Sequence, residues 1–216
     1  MKKFFKVKAI QRIAAIIAFV AVIGFSFVTC GDGGGGGNKW TAVTDSTFGT
    51  DNDIDIRAIA YGNGKFVAGG GNIVTSRMAT STDGATWTAV ADSKFDTSAI
   101  YAIAYGNGKF VAGGTDGKMA TSTDGITWTA VADSTFGTNA IFAIAYGNGK
   151  FVAGGGSYDS STDSYTGKMA TSTDGATWTA VKDSTFGTSA IRAIAYGNGK
   201  FVAGGTNGKM AYLSDN

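Results

Sequence analysis

Histidine, glutamate and proline are missing from this chain of 216 residues, and cysteine occurs only once. Histidine and glutamate carry much of the acid, base and nucleophilic chemistry of enzymes, so their absence leaves mainly aspartate, tyrosine and lysine for such roles. A single cysteine cannot form a disulfide within the chain. We therefore expect a protein that is not an enzyme and that has no cofactor and no metal site.

The N-terminus has the pattern of a targeting segment. Five cationic residues precede an apolar run, Ile13 to Thr29, which ends at Cys30. With Phe27, Val28 and Thr29 before the cysteine, the segment resembles the relaxed signal of spirochaete-type bacterial lipoproteins. That resemblance implies a signal peptide over residues 1–29, a lipid on Cys30 with a glycine-rich linker over 30–38, and a folded domain over 39–216. An uncleaved anchor helix is the alternative, and both place the protein at a membrane of the bacterial cell envelope, on the outer membrane or surface or on the periplasmic face.

Charge argues against nucleic acid as a partner. The formal net charge is +2, but removing the five cations of residues 1–29 from the 18 in the chain leaves 13 against 16 aspartates, a net charge of −3. No basic stripe remains that could neutralise a phosphate backbone.

The dominant feature of the sequence is an internal repeat. The string AIAYGNGKFVAGG begins at residues 58, 102, 143 and 193, so its copies are spaced by 44, 41 and 50 residues, as in propeller blades. Asn-Gly between two β-type runs is a strong hairpin signal. Each unit is predicted to have four antiparallel strands, a to d: AIAY, KFVAGG, KMATS and TWTAV. The expected fold is an all-β propeller of four four-stranded blades.

The two ends of the repeat region complement one another. Lys39 to Val43 matches strand d, whereas the chain stops just after strand c of the last unit. We therefore predict that this N-terminal strand closes the last blade by pairing with the C-terminal strands, in a monomer. Two chains that join their open blades into a larger ring, or a solenoid-like stack, are the alternatives.

A second repeated string, STDGATW or STDGITW, precedes strand d. It resembles the Asp-box turn of sialidase-like propellers, although Asp and Gly are adjacent here and the Asp lies one residue closer to the Trp. That resemblance implies structural turn residues at Asp83, Trp87, Asp124, Trp128, Asp174 and Trp178, with Asp215 and Trp40 as a split fourth copy. The arginine-isoleucine-proline motif and the Tyr/Glu pair of catalytic sialidases cannot be supplied by a chain without proline and glutamate.

Differences between the units gather on the opposite face, which carries the b–c and d–a connections. This face is predicted to bind a protein or glycan ligand, because variable loops on a rigid scaffold commonly carry specificity. Arginine suits an anionic group and aromatic rings suit a sugar-like one. The candidate residues are Arg57, Tyr101, Phe142 and Arg192 just before strand a, and Arg77, Tyr158 and Tyr165 in the b–c loops. Neutral drift in exposed loops is the alternative explanation.

The acidic segment from Asp51 to Asp55 is interpreted as a solvated loop, because Ile56 replaces the glycine of an EF-hand and no glutamate follows. The favoured function is a membrane-anchored, non-catalytic binding or display module. A structural or assembly lipoprotein without a small ligand comes second, and a glycosidase-like enzyme or a lyase third.

Overall fold

The described part of the chain consists of antiparallel sheets. A computed structural model describes residues 39–49, 54–72 and 74–214, and its fifteen strands form four sheets, named blades 1 to 4. Blade 1 contains β1 (Asp55–Gly62), β2 (Lys65–Gly71), β3 (Ser76–Ser81) and β4 (Thr88–Ala89). Blade 2 contains β5 (Ile100–Gly106), β6 (Lys109–Gly114), β7 (Met119–Ser122) and β8 (Thr129–Ala130). Blade 3 contains β9 (Ala140–Gly147), β10 (Lys150–Asp159), β11 (Ser164–Ser172) and β12 (Thr179–Ala180). Blade 4 contains β13 (Ile191–Gly197), β14 (Lys200–Gly205) and β15 (Met210–Ser214).

Helical structure in the described ranges is limited to two single 3-10 turns, Thr115–Gly117 and Thr206–Gly208. Within those ranges, no helix is long and apolar enough to cross a membrane. The predicted signal segment, Cys30 and the linker lie outside the described residues.

Tight turns explain why the strands of a blade pair in chain order. Asn63 and Gly64 have φ angles of 47° and 72°, and Gly62 pairs with Lys65 across them. Positive φ at both central residues is the hairpin geometry that matches strand twist, and Asn-Gly adopts it most readily. The Asn-Gly hairpin predicted from the sequence is confirmed.

The inner strands of the blades line a narrow axial channel, which is open between blades 4 and 1 because β13 does not pack on β1. These strands pack in sequence, β1 on β5, β5 on β9 and β9 on β13. The space between them is about 60 Å³ and is lined largely by alanine and isoleucine. Four sheets around one axis form a β-propeller, so the predicted all-β class and the number of blades are confirmed.

The hydrophobic cores lie between blades and not within them. One cluster joins blades 1 and 2, a second joins blades 2 and 3, and a third joins blades 3 and 4. A smaller cluster around Phe48 covers part of the free side of blade 1. Each blade therefore depends on its neighbours for burial of its apolar side chains, as in other repeat proteins.

Glycine and tyrosine make the closest contact between neighbouring blades. A Cβ atom at Gly62 would lie 2.0 Å from Cγ of Tyr105, and one at Gly69 would lie 2.7 Å from Ile100. We call the side of a blade that carries the isoleucines and tyrosine of strand a its Ile face, and the opposite side its Gly face. At each of the three junctions, the Ile face of one blade packs on the Gly face of the preceding blade. The missing glycine side chains leave the space that the rings fill.

Blade 4 differs from the prediction in one respect, because it has three strands. The predicted pairing of Lys39 to Val43 with this blade is not formed: these residues are not in a strand, and the Trp40 side chain is 95% exposed. The physical reason is that the inner strand of blade 4 does not pack on that of blade 1 as the other neighbours do. The N-terminal segment is held beside blade 1 by buried Phe48 and does not reach β15.

Candidate functional site

The inner strand of each blade contains a β-bulge at one equivalent position. Strand pairing skips a single residue in each blade: Arg57, Tyr101, Phe142 and Arg192. A bulge leaves its extra residue out of the ladder and redirects its side chain, and bulges are common next to functional sites. The four residues that vary just before Ala-Ile-Ala are thus the extra, unpaired residues of the four bulges.

These four side chains contact one another across the blades. The Arg57 guanidinium carbon lies 5.1 Å from the ring centre of Tyr101. The Tyr101 and Phe142 ring centres are 5.5 Å apart. Arg192 follows, with its guanidinium carbon 4.0 Å from the ring centre of Phe142. Both arginine contacts are within the distance at which cations are attracted to aromatic rings.

The long hairpin of blade 3 extends this series. The Tyr165 ring lies 5.7 Å from the Arg192 guanidinium carbon, and the Tyr158 ring centre lies 5.0 Å from that of Tyr165. The Tyr158 hydroxyl donates to Asp163 over 2.6 Å, and this hydrogen bond raises the pKa of the tyrosine. We call the six residues Arg57, Tyr101, Phe142, Arg192, Tyr165 and Tyr158 the Arg–aromatic row.

The two arginines of the row differ in their hydrogen-bond partners. Arg57 donates to the carbonyl of Gly71 over 3.2 Å and to the carboxylate of Asp55 over 2.9 Å. Arg192 has no acidic partner among the described residues and is held by its two ring contacts. Its side chain is only partly buried. Arg192 therefore offers hydrogen-bond donors to a ligand.

Arg77, also a candidate, is not part of the row. It occupies the position of three lysines in the other blades, where the amino group donates to the carbonyl of a buried phenylalanine: Lys118 to Phe95, Lys168 to Phe136 and Lys209 to Phe186. The Nε atom of Arg77 is buried and has no hydrogen-bond partner in the described structure. Arg77 therefore lies at a position that supports the core in the other blades.

Channel size limits where a ligand could sit. Small-molecule sites usually enclose about 300 Å³ or more, whereas the space between the inner strands is about 60 Å³. A ligand of the row would have to lie across the channel mouth, where Arg57, Tyr101 and Phe142 line the rim.

Residues 38–166, more than half of the chain, match a family described as the DUF6242 beta propeller domain. The chain belongs to this family. No curated protein matches its sequence.

Solved structures share the fold with this DUF6242 propeller domain at low identity. The computationally designed protein Ika4 is 19% identical with a TM-score of 0.52, over 75% of this chain and 92% of that one. YCF48 from Cyanidioschyzon merolae is 19% identical with a TM-score of 0.58, over 83% of this chain and 58% of that one. YCF48 bound to D1 peptide is 14% identical with a TM-score of 0.51, over 74% of this chain and 49% of that one. The chain thus spans only about half the length of the YCF48 chains.

On the opposite side of the DUF6242 propeller domain, each c–d turn is organised by one aspartate. Asp83 accepts hydrogen bonds from the backbone N–H groups of Ala85 and Thr86, at 2.8 and 2.7 Å, and from the Ser81 hydroxyl at 2.9 Å. Gly84 has a φ of 76°, a conformation that glycine adopts without strain. The same bonds recur around Asp124 and Asp174.

These bonds lower the pKa of all three turn aspartates. At Asp124, the backbone N–H groups of Thr127 and Ile126 lower the pKa to about 2, and desolvation opposes this effect only in part. For Asp83 and Asp174 the direction and the leading backbone causes are the same. A group ionised this firmly at neutral pH is a poor general acid or base.

The tryptophans of these turns close the blade junctions. Trp128 and Trp178 are 3% and 6% exposed, and each indole N–H donates to the carbonyl of the turn glycine. Trp87, in blade 1, makes the same bond but is half-buried. Asp215 lies outside the described residues, and exposed Trp40 is not in such a turn.

Sequence reasoning missed the phenylalanines of the d–a connections. Phe95, Phe136 and Phe186 are fully buried between blades, and Phe48 is 2% exposed. The sequence does contain a pattern that identifies these phenylalanines, because each of them follows the tryptophan of the preceding strand d by eight residues.

Proposed function

We propose that this chain is a non-catalytic binding module that holds an anionic or sugar-like group of a protein or glycan on the Arg–aromatic row. The observation that carries the proposal is Arg192, stacked on Phe142 and without an acidic partner in the described structure. A guanidinium offers paired N–H donors that match a carboxylate, and the flanking rings offer stacking surfaces. A row that runs across the channel mouth suits a flat epitope or an extended chain better than an enclosed metabolite.

The row is also well placed on the fold for binding. Its first four members, Arg57 to Arg192, project from bulges on the rigid inner strands, so little conformational entropy is lost when a ligand docks. YCF48, which shares the fold, has been solved with a D1 peptide bound. That precedent supports peptide binding by a propeller of this kind.

Replacing Arg192 with glutamine should weaken binding to acidic ligands by about 10- to 100-fold, the loss expected for a charge-assisted hydrogen bond. Binding can be measured on a panel of neutral and acidic oligosaccharides and acidic peptides. Arg77→Gln is the matched control, because it removes an arginine outside the row and should leave binding unchanged. Equal affinities for the wild type and Arg192→Gln would contradict the proposal. A protein that binds no member of the panel but co-purifies with one stoichiometric protein would be a structural or assembly lipoprotein.

The proposal includes attachment to a bacterial membrane through a lipid on Cys30. It rests on the sequence resemblance of residues 1–30 to a lipoprotein signal, together with the glycine-rich segment that follows. The intact mass of the mature protein tests it. A mass that corresponds to a chain starting at Cys30 plus a diacylglyceryl group is expected, and an unmodified full-length chain would contradict it.

A further inference from the structure

Blade 1 has an Ile face that no other blade covers. Ile59 is 54% exposed, whereas its equivalents Ile103 and Ile144 are 6% and 3% exposed. Tyr61, at the end of the same strand, is 52% exposed. The only apolar cover in the described chain is the small cluster around Phe48.

In blade 4 the Gly face, and not the Ile face, is left uncovered by any other blade. A Cβ atom at Gly197 or at Gly204 would meet no atom within 4 Å, whereas Cβ atoms at the equivalent Gly106 and Gly113 would collide with the next blade at 2.0 and 2.6 Å. Val202 is 41% exposed on this side. Blades 1 and 4 therefore expose the two halves of the junction that the described blades form three times with one another.

The internal junctions specify what each exposed residue would contact. At each of them, tyrosine of strand a covers the glycine at the end of the preceding strand a, so Tyr61 matches Gly197. By the same correspondence, Ile59 matches Gly204. The turn asparagine Asn63 donates to the carbonyl of Thr123 in the next blade over 3.1 Å, and Asn107 makes the equivalent bond; Asn198 would bond in the same way to a blade 1.

Trp40 has a matching cavity at blade 4. This cavity of about 140 Å³ is lined by Val152, Met169, Phe201 and Ala211, among others. Those four are the equivalents of Val111, Met119, Phe151 and Ala170, which share one buried cluster with Trp178. The cavity thus corresponds to the space that a strand-d tryptophan fills at a complete junction.

The spacing of the chain connects this cavity with the free Ile face. Trp40 precedes Phe48 by eight residues, as Trp128 precedes Phe136. In the complete repeats, that tryptophan belongs to one blade and the phenylalanine to the junction with the next. Because Phe48 lies at the Ile face of blade 1, Trp40 belongs to a blade that precedes blade 1.

The chain's own blade 4 is not that preceding blade. The three successive junctions place blades 1 to 4 side by side, but β13 of blade 4 still does not pack on β1 of blade 1. A ring that repeats this junction therefore requires more than four blades. Propellers commonly have four to eight blades, and within that range two chains of four give a complete ring. We propose that two copies of this chain join head to tail, with the Ile face of each blade 1 on the Gly face of the other copy's blade 4, in a ring of eight blades.

Each copy would complete the other's last blade. Lys39 to Val43 of the second copy would supply the missing fourth strand beside β15, and its Trp40 would fill the cavity. The proposal is independent of ligand binding at the Arg–aromatic row, but it bears on it, since Arg192 would become the neighbour of Arg57 of the second copy. The site would then carry two adjacent cations at each junction between copies.

The test uses the full chain, purified in detergent, with native mass spectrometry and tryptophan emission over a range of concentrations. The wild type should form a species of two chains, and emission should shift to shorter wavelength as Trp40 becomes buried. Gly197→Ala adds one methyl group that the single chain accommodates but that would collide with Tyr61 of the second copy. It should raise the dissociation constant at least about 100-fold, because each dimer contains this contact twice.

Tyr61→Ala in the Gly197→Ala background removes the colliding ring and should restore part of the lost affinity, with Tyr61→Ala alone completing the cycle. An unchanged circular dichroism spectrum of Gly197→Ala establishes that the fold is intact. Single chains at every concentration, or a dimer that Gly197→Ala does not weaken, would overturn the proposal. So would rings of three or more chains, or burial of Trp40 in a single chain.

Discussion

Alanine in place of Gly106 should lower the free energy of unfolding by about 3 kcal/mol, at the upper end of the usual cost of overpacking. The new Cβ atom would lie 2.0 Å from Cγ of Tyr146. That carbon is at the base of the ring, next to the backbone of β9, so the collision cannot be relieved by rotating a flexible end. Relief requires blades 2 and 3 to move apart, which opens the core between them. Urea unfolding, followed by circular dichroism, gives the change.

Gly197→Ala is the matched control in a sample dilute enough to be monomeric. It introduces the same methyl group at the equivalent position of blade 4, where no atom lies within 4 Å. Its free energy of unfolding should match that of the wild type. If both variants have the same unfolding midpoint, the glycine–tyrosine contact does not hold neighbouring blades together.

Truncating Phe136 to alanine should cost about 3 to 5 kcal/mol, the range for a fully buried phenylalanine. Its side chain is 0% exposed and belongs to the cluster between blades 2 and 3. The cavity lies at the middle junction, so thermal unfolding should separate into two transitions, one for each pair of blades. Differential scanning calorimetry measures both the loss and the number of transitions.

Phe48→Ala provides the comparison for this effect. Phe48 is the equivalent residue, but it lies in the small cluster at the free side of blade 1. Its truncation should cost less and should leave a single transition in a monomeric sample. Identical losses for the two variants would mean that the central junction has no special role.

Local features of the fold could be predicted from the sequence because short-range chemistry determines them. Asn63 and Gly64 form their hairpin turn as Asn-Gly pairs commonly do. Asp83 caps its turn with bonds to residues two and three positions away. The spacing of the repeat indicated propeller blades and its four copies gave their number, and neither needs knowledge of tertiary contacts.

The candidate site was predicted in part. The four variable positions before Ala-Ile-Ala were recognised as sharing one face, and the structure brings all four into contact across the blades. The bulge that sets each of them apart could not be predicted, because it depends on pairing between strands. Arg77 was grouped with them because it lies in a b–c loop of the same face, yet its position corresponds to a lysine that supports the core in the other blades.

Contacts between blades were the least predictable part. The repeat identifies which strand would complete blade 4, but not whether that strand comes from the same chain. That outcome depends on the rotation from one blade to the next, which is set by contacts such as Tyr105 on Gly62. No local pattern in the sequence encodes that rotation.

The similarity of the three internal junctions also has a consequence for the number of units that a chain can contain. An in-frame duplication of one unit of 41 residues would add a blade whose two sides already fit its neighbours. A covalently closed ring would have to break a junction to accept the new unit, whereas a chain with two free ends would simply become longer. Chains with different numbers of units should therefore fold with the same junctions between their blades, and the number of units would decide which assembly each chain can complete.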